Sequence, residues 1–123
     1  MNVWLIDDDN VTNMLNRFFL EEHYTHLNIT AFVYAQDALN TLMQTTQKPD
    51  VIFLDINMPV MNGWEFLDAL GKKTTEIAEI PHIYLLSSSL DPVDKNKASQ
   101  INLVKGFISK PLEIEKIGFL NPT

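Results

Sequence analysis

Two rhythms of apolar residues alternate along this chain, and that alternation limits the fold more than any other feature of it. Val3–Ile6, Ile29–Val33, Val51–Leu54, Ile83–Leu86 and Val104–Ile108 are runs of strand length, the last interrupted by Lys105 and Gly106. Between them the spacing becomes helical. Val11, Met14, Leu15, Phe18 and Phe19 predict a first helix that buries this face, with Asp9 or Asn10 as its cap. Ala35, Ala38, Leu39, Leu42 and Met43 repeat the pattern, and Trp64, Leu67 and Leu70 mark a third helix ending near Gly71. Asp91-Pro92 opens a fourth, with a capping acid, proline at the first helical position and Asp94 in the first turn. Leu112, Ile114, Ile117 and Leu120 predict a short final helix running into Asn121-Pro122. Five strands alternating with five helices predict an α/β, doubly wound parallel sheet with helices on both faces. Such a sheet carries its site in the crevice beyond the carboxyl ends of the strands.

Nothing in the composition asks for more than that one unit. The 123 residues contain no repeat, low-complexity tract or linker, so a single domain over residues 1–123 with no output domain is expected. Cysteine is absent, which excludes disulfides and thiolate metal sites. Apolar runs such as Val51–Leu54 are far too short to span a bilayer, and the start MNVWLIDDD is not a secretory signal; a cytoplasmic location is expected. A net charge of −7 argues against unaided binding to nucleic acid or an anionic membrane, since both need a positive surface.

The residues just past the strands carry the chemistry. VIFLD reads as a strand buried on both faces, yet it ends on a carboxylate, Asp55, which is costly to bury without a partner. Strand one ends at Asp7-Asp8, strand four at Ser87-Ser88-Ser89 and strand five at Lys110-Pro111, so carboxylates, hydroxyls and one lysine converge on one rim. Clustered carboxylates raise one another's pKa, and a divalent cation removes the conflict. Oxygen donors with no histidine or cysteine suit Mg²⁺.

Taken together, LIDDD, LDINMPVMNG, LLSSS and GFISKPL resemble the receiver domain of two-component response regulators, over essentially the whole chain. The resemblance implies a flavodoxin-like sheet in the order 2-1-3-4-5. Carried over by position, it makes Asp55 the phosphoacceptor, and Asp7 and Asp8 the acidic pair that holds Mg²⁺ with Asp55 and the backbone carbonyl of Asn57. Lys110 becomes the lysine of a Lys110–Pro111 cis peptide, Ser87 the switch hydroxyl and Phe107 the switch aromatic. Counting back from Asp91-Pro92 selects Ser87 over its neighbour Ser88. The implied function is a stand-alone receiver that takes a phosphoryl group on Asp55 from a histidine kinase or histidine phosphotransfer protein. Signalling would then proceed by docking a downstream protein through the helix 4, strand 5, helix 5 face, as effector, relay intermediate or phosphate sink. Such a chain is no enzyme beyond its own phosphorylation and dephosphorylation, and is expected as a monomer or weak dimer.

Other classes fit less well. A haloacid-dehalogenase-type phosphatase also forms an aspartyl phosphate, but wants a second aspartate two residues on, where Asn57 stands. A flavin carrier of flavodoxin type would not place Asp7–Asp9 where its phosphate binds. Asp9 reads as a helix start that favours the dipole. His23 and His26 read as solvated, and Trp4 and Trp64 as packing residues.

Overall fold

The computed structural model describes residues 1–77, 79–88 and 91–120, so Ser89, Asn121 and Pro122 of the sequence argument lie outside the described residues. In chain order come β1 (Asn2–Ile6), α1 (Asn10–His23), β2 (Asn28–Phe32), α2 (Ala35–Gln44) and β3 (Val51–Asp55). There follow α3 (Gly63–Gly71), β4 (His82–Ser87), α4 (Pro92–Ser99) and β5 (Val104–Ser109). The strands form one parallel sheet in the order β2-β1-β3-β4-β5, the expected doubly wound arrangement. Central β3 is buried along its whole length, which accounts for its unbroken apolar run.

The sheet has a core on each face. Trp4, Ile6, Ile52, Leu54, Ile83 and Leu85 pack against Ala38 and Leu42 of α2, Phe66 and Leu70 of α3, and Ala98 of α4. On the other face Val3, Leu5, Phe53 and Leu86 meet Leu20 and Tyr24 at the end of α1, with Leu112, Ile117 and Leu120 from the C-terminal segment. Trp4 packs against Phe32 in a tilted pair, with ring centroids 4.7 Å apart, and Lys97 lies 4.6 Å over the ring of Trp64. β5 carries a bulge: Ile83 pairs with Val104 and Tyr84 with Gly106, so Lys105 is the extra residue. A Cβ at position 106 would stand 2.8 Å from the Tyr84 ring, which is why the interruption in this strand contains glycine.

Two expectations are corrected. The first concerns the face that α1 buries. Val11, Met14, Leu15 and Phe18 are 59–65% exposed, and the helix turns Asn13, Asn16 and Leu20 inward instead. The cause lies in backbone carbonyls of β2 and of Asp7 just past β1, which accept from polar side chains of the helix. The Asn13 amide donates to Asp7 O at 2.9 Å and to Phe32 O at 3.2 Å, while the Arg17 guanidinium donates to Ile29 O at 2.9 Å. These polar ties fix the roll of the helix, and only Phe19 and Leu20 of its length join the core.

The second concerns the C-terminal segment. Instead of a fifth helix, two short 3-10 turns follow β5, Ile114–Lys116 and Gly118–Leu120. Gly118 interrupts the segment, and the Lys116 ammonium donates to Ser109 O at 2.9 Å, Ser109 Oγ at 3.1 Å and Pro111 O at 3.3 Å. Leu112, Ile117 and Leu120 are buried without a helix to present them. The described residues therefore hold four α-helices, and the surface beyond α4 and β5 is completed by turns.

Candidate functional site

The rim beyond the strand ends is built around Asp7. It follows β1 directly and is almost fully buried, at 2% exposure. Its N–H donates to Phe32 O at 3.0 Å, and its carbonyl accepts from Asn13. Its carboxylate accepts from the Asp9 N–H at 2.9 Å on Oδ1 and from the Lys110 Nζ at 2.8 Å on Oδ2. Asp9 faces the other way: its carboxylate caps α1, accepting from the Val11 N–H at 3.0 Å and the Thr12 hydroxyl at 2.9 Å. Those bonds, the Thr12 one first, lower the Asp9 pKa from its ordinary value. Asp8, between them, is exposed to solvent at the mouth of the rim.

Asp55 ends β3 and is 5% exposed, with its Oδ1 3.2 Å from the Lys110 Nζ. Burial, then the charge of Asp7, pushes its pKa up to about 6, against the opposing pull of Lys110. Lys110 therefore bridges two buried carboxylates. Burial works against its charge, but the hydrogen bond to Asp7 and the fields of Asp55 and Asp7 outweigh this, and its pKa is raised. The Lys110 N–H donates to Ser87 O at 2.8 Å, which fastens the end of β5 to the end of β4, and the Lys110–Pro111 peptide is cis. Ser87 is fully buried and paired across the sheet with Ser109, whereas Ser88 is exposed. Phe107 lies opposite Leu85, half-buried beside a cavity of about 220 Å³ that Lys95, Ala98, Ser99 and Val104 also line.

The loop after Asp55 contains two constraints that apolar spacing does not reveal. Gly63 begins α3 hard against β3: a Cβ there would stand 2.8 Å from Asp55 O and 2.9 Å from Ile56 Cα. The Gly63 N–H donates to Ile56 O at 2.8 Å, and a reciprocal capping box between Asn62 and Glu65 holds the helix start in place. Val60 has φ 68°, a left-handed conformation that β-branched residues rarely adopt, and its side chain is 91% exposed. Asn57 is exposed in the same loop. Asn13 was also beyond sequence reasoning, because a polar residue within an apparently amphipathic helix gives no sign that it points inward.

The residues present fit a hard divalent cation. Carboxylate oxygens of Asp7, Asp8 and Asp55 lie within 4.8 Å of one another, and one ammonium cannot balance three carboxylates. The raised Asp55 pKa reflects burial first and the neighbouring charge of Asp7 second, and a cation would oppose both.

A sheet of order 2-1-3-4-5 with an acidic crevice beyond its strand ends is a doubly wound, flavodoxin-like fold with a ligand site where such folds carry one. The response regulator receiver domain family matches residues 3–118. A two-component response regulator from Cytophaga hutchinsonii is 35% identical, with a TM-score of 0.87 over 97% of this chain and 92% of that one. A response regulator receiver protein from Dyadobacter fermentans is 26% identical, with a TM-score of 0.86 over 98% and 94%. The sensory transduction protein LytT of Enterococcus faecalis is 29% identical over 95% of this chain and 45% of that protein. The chain spans about half or less of the length of such curated relatives. It belongs to the response regulator receiver domain family. Receiver domains of this kind bind Mg²⁺ at an acidic pocket and work with histidine kinases or phosphotransfer proteins. No helix among the described residues is long and apolar enough to cross a membrane.

Proposed function

We propose that Asp55 accepts a phosphoryl group from a phosphohistidine protein in a Mg²⁺-dependent reaction, and that the modified domain signals by docking a partner. The observation that carries this reading is the position of Asp55: a buried carboxylate at the end of the central strand, beside two more carboxylates and a lysine. A carboxylate oxygen attacks phosphorus in line, the N–P bond of phosphohistidine breaks, and an acyl phosphate forms. Lys110, shared between Asp7 and Asp55, has only to swing from one anion to another to cover a phosphoryl oxygen. The Ser87 hydroxyl, at the end of the neighbouring strand, would donate to a second oxygen. Asp7, Asp8 and Asp55, with the Asn57 carbonyl, would hold Mg²⁺, which neutralises the equatorial oxygens when bound.

The modified rim carries a phosphoryl group with nearly two negative charges in place of the single charge of the Asp55 carboxylate. Movement of Ser87 toward them would leave space for the half-buried Phe107, altering the surface of α4, β5 and the turns that stand where a fifth helix was expected. On the donor side, the exposed stripe of Val11, Met14, Leu15 and Phe18 runs from the Asp9 cap beside the rim. A protein that lays a histidine over Asp55 covers the start of α1, and an apolar, helical donor surface would match the stripe.

The test is intact mass after incubation with a small acyl phosphate, with and without Mg²⁺, on wild type and Asp55→Ala. One phosphoryl adduct requiring both Mg²⁺ and Asp55 is expected. Failure of the wild type with this donor and with a phosphohistidine protein would sink the assignment.

A further inference from the structure

We infer that Asn13 is a positioning residue for the metal cradle, acting through the backbone of Asp7; this rests on the reading of Asp7 as a Mg²⁺ ligand. Asn13 is 2% exposed, on the first full turn of α1. Its amide nitrogen reaches two carbonyls on different strands' ends, Asp7 O at 2.9 Å and Phe32 O at 3.2 Å. Its own N–H donates to Asp9 O at 3.1 Å. One side chain thus joins the first turn of α1 to the ends of β1 and β2, and Asp7, Asp8 and Asp9 lie within the loop that this joint closes.

The cost of the arrangement is visible. Among the described residues, the Asn13 Oδ1 is buried and no donor reaches it. Turning the amide over would not help, because the oxygen would then face the two carbonyls that the nitrogen now satisfies. A leucine of similar size would avoid the orphaned acceptor and add apolar contact. It would also leave the Asp7 carbonyl without the donor that asparagine supplies, and that carbonyl belongs to the peptide between two candidate ligands. That carbonyl sets the direction in which the Asp7 carboxylate leaves the backbone. It also anchors the turn that carries Asp8. Of the other ties on Asp7, those from the Asp9 N–H and Lys110 act on the carboxylate, and the bond from its own N–H to Phe32 O holds the peptide before it; the Asn13 amide holds the peptide after it, the one that leads to Asp8. Partners that orient a metal ligand without touching the metal typically change affinity by 10- to 100-fold.

The experiment is calorimetric titration of MgCl₂ into wild type, Asn13→Leu, Asn13→Ser and Leu20→Ala, each with a thermal unfolding curve. Leu20 is a fully buried residue of the same helix, on the core side and away from the rim, so it controls for simple loss of stability. Asn13→Leu is expected to raise the Mg²⁺ Kd about tenfold or more. Asn13→Ser, which keeps one short donor, should fall between it and wild type, and stands in for it if the leucine variant fails to fold. Leu20→Ala is expected to lower the Tm yet leave the Kd unchanged. Asn13 variants that bind Mg²⁺ as wild type does, or a Leu20→Ala variant that weakens binding as much as they do, would overturn the positioning role alone. A wild type that binds no Mg²⁺ would overturn the cradle and the positioning role together.

Discussion

Asp55 holds its proton more tightly in the folded chain than an ordinary carboxylate, with a pKa near 6 against 3.8. The folded state therefore carries the extra proton between these values, and stability falls as pH rises from about 4 through about 6. The full penalty, roughly 3 kcal/mol, stands at neutral pH. Asp55→Asn is expected to remove most of it: urea unfolding should show the variant more stable than wild type at pH 7.5, with the difference closing at pH 4. Protonation of Asp55 also opposes a cation, so the Mg²⁺ affinity of wild type should fall about tenfold between pH 7 and pH 5, read by calorimetry. Val60 belongs to the same loop and calls for a different argument. Its left-handed backbone costs a β-branched residue about 1–2 kcal/mol, and its exposed side chain returns little. Val60→Asn should therefore raise the unfolding free energy by about 1 kcal/mol. The direction of the Asp55 shift was legible beforehand, since clustered carboxylates raise one another's pKa, but its size and the torsion at Val60 were not, because neither follows from residue type.

At the scale of elements, α1 shows where periodicity misleads. Val11, Met14, Leu15 and Phe18 have the spacing of a buried face and are exposed. Spacing reports that a helix has an apolar stripe; it does not report which side the sheet takes. α2 carries the same signal and buries it, with Ala35, Ala38, Leu39 and Leu42 turned to the core. If the stripe docks the donor as proposed, changes in it should separate two kinds of phosphorylation. Met14→Asp with Phe18→Ser should leave the Tm within a few degrees and the reaction with a small acyl phosphate intact. The rate of transfer from a phosphohistidine protein is expected to fall about tenfold or more, as for loss of an apolar interface anchor. An equal loss with both donors would place the defect in the rim and not in docking. The final segment illustrates the other limit. Leu112, Ile117 and Leu120 were identified as apolar and are buried, but the bonds from Lys116 to Ser109 and Pro111 that shape the turns depend on tertiary contact.

For the molecule as a whole, the strand order came from the family resemblance, whereas the meeting of Asp7, Asp8, Asp55 and Lys110 was readable because each follows a run of strand length, and parallel strands put all such ends on one edge. Asn13, Gly63 and Val60 were not, since each acts through backbone geometry. With a net charge of −7, the folded chain repels itself, and an ion at the acidic rim relieves the densest part of that charge. Mg²⁺ at about ten times its Kd should raise the Tm by a few degrees at constant ionic strength, and Asp8→Ala should abolish the rise. The close approach of Gly63 to the main chain at Asp55 also makes a claim about sequence variation. Any side chain there must displace backbone, whereas a Cβ at Gly118 would meet nothing within 4 Å. In a library of all single substitutions, position 63 should be nearly closed to change while position 118 stays open. Descendants of this chain would then keep one glycine for as long as they keep Asp55 in its place, and change the other freely.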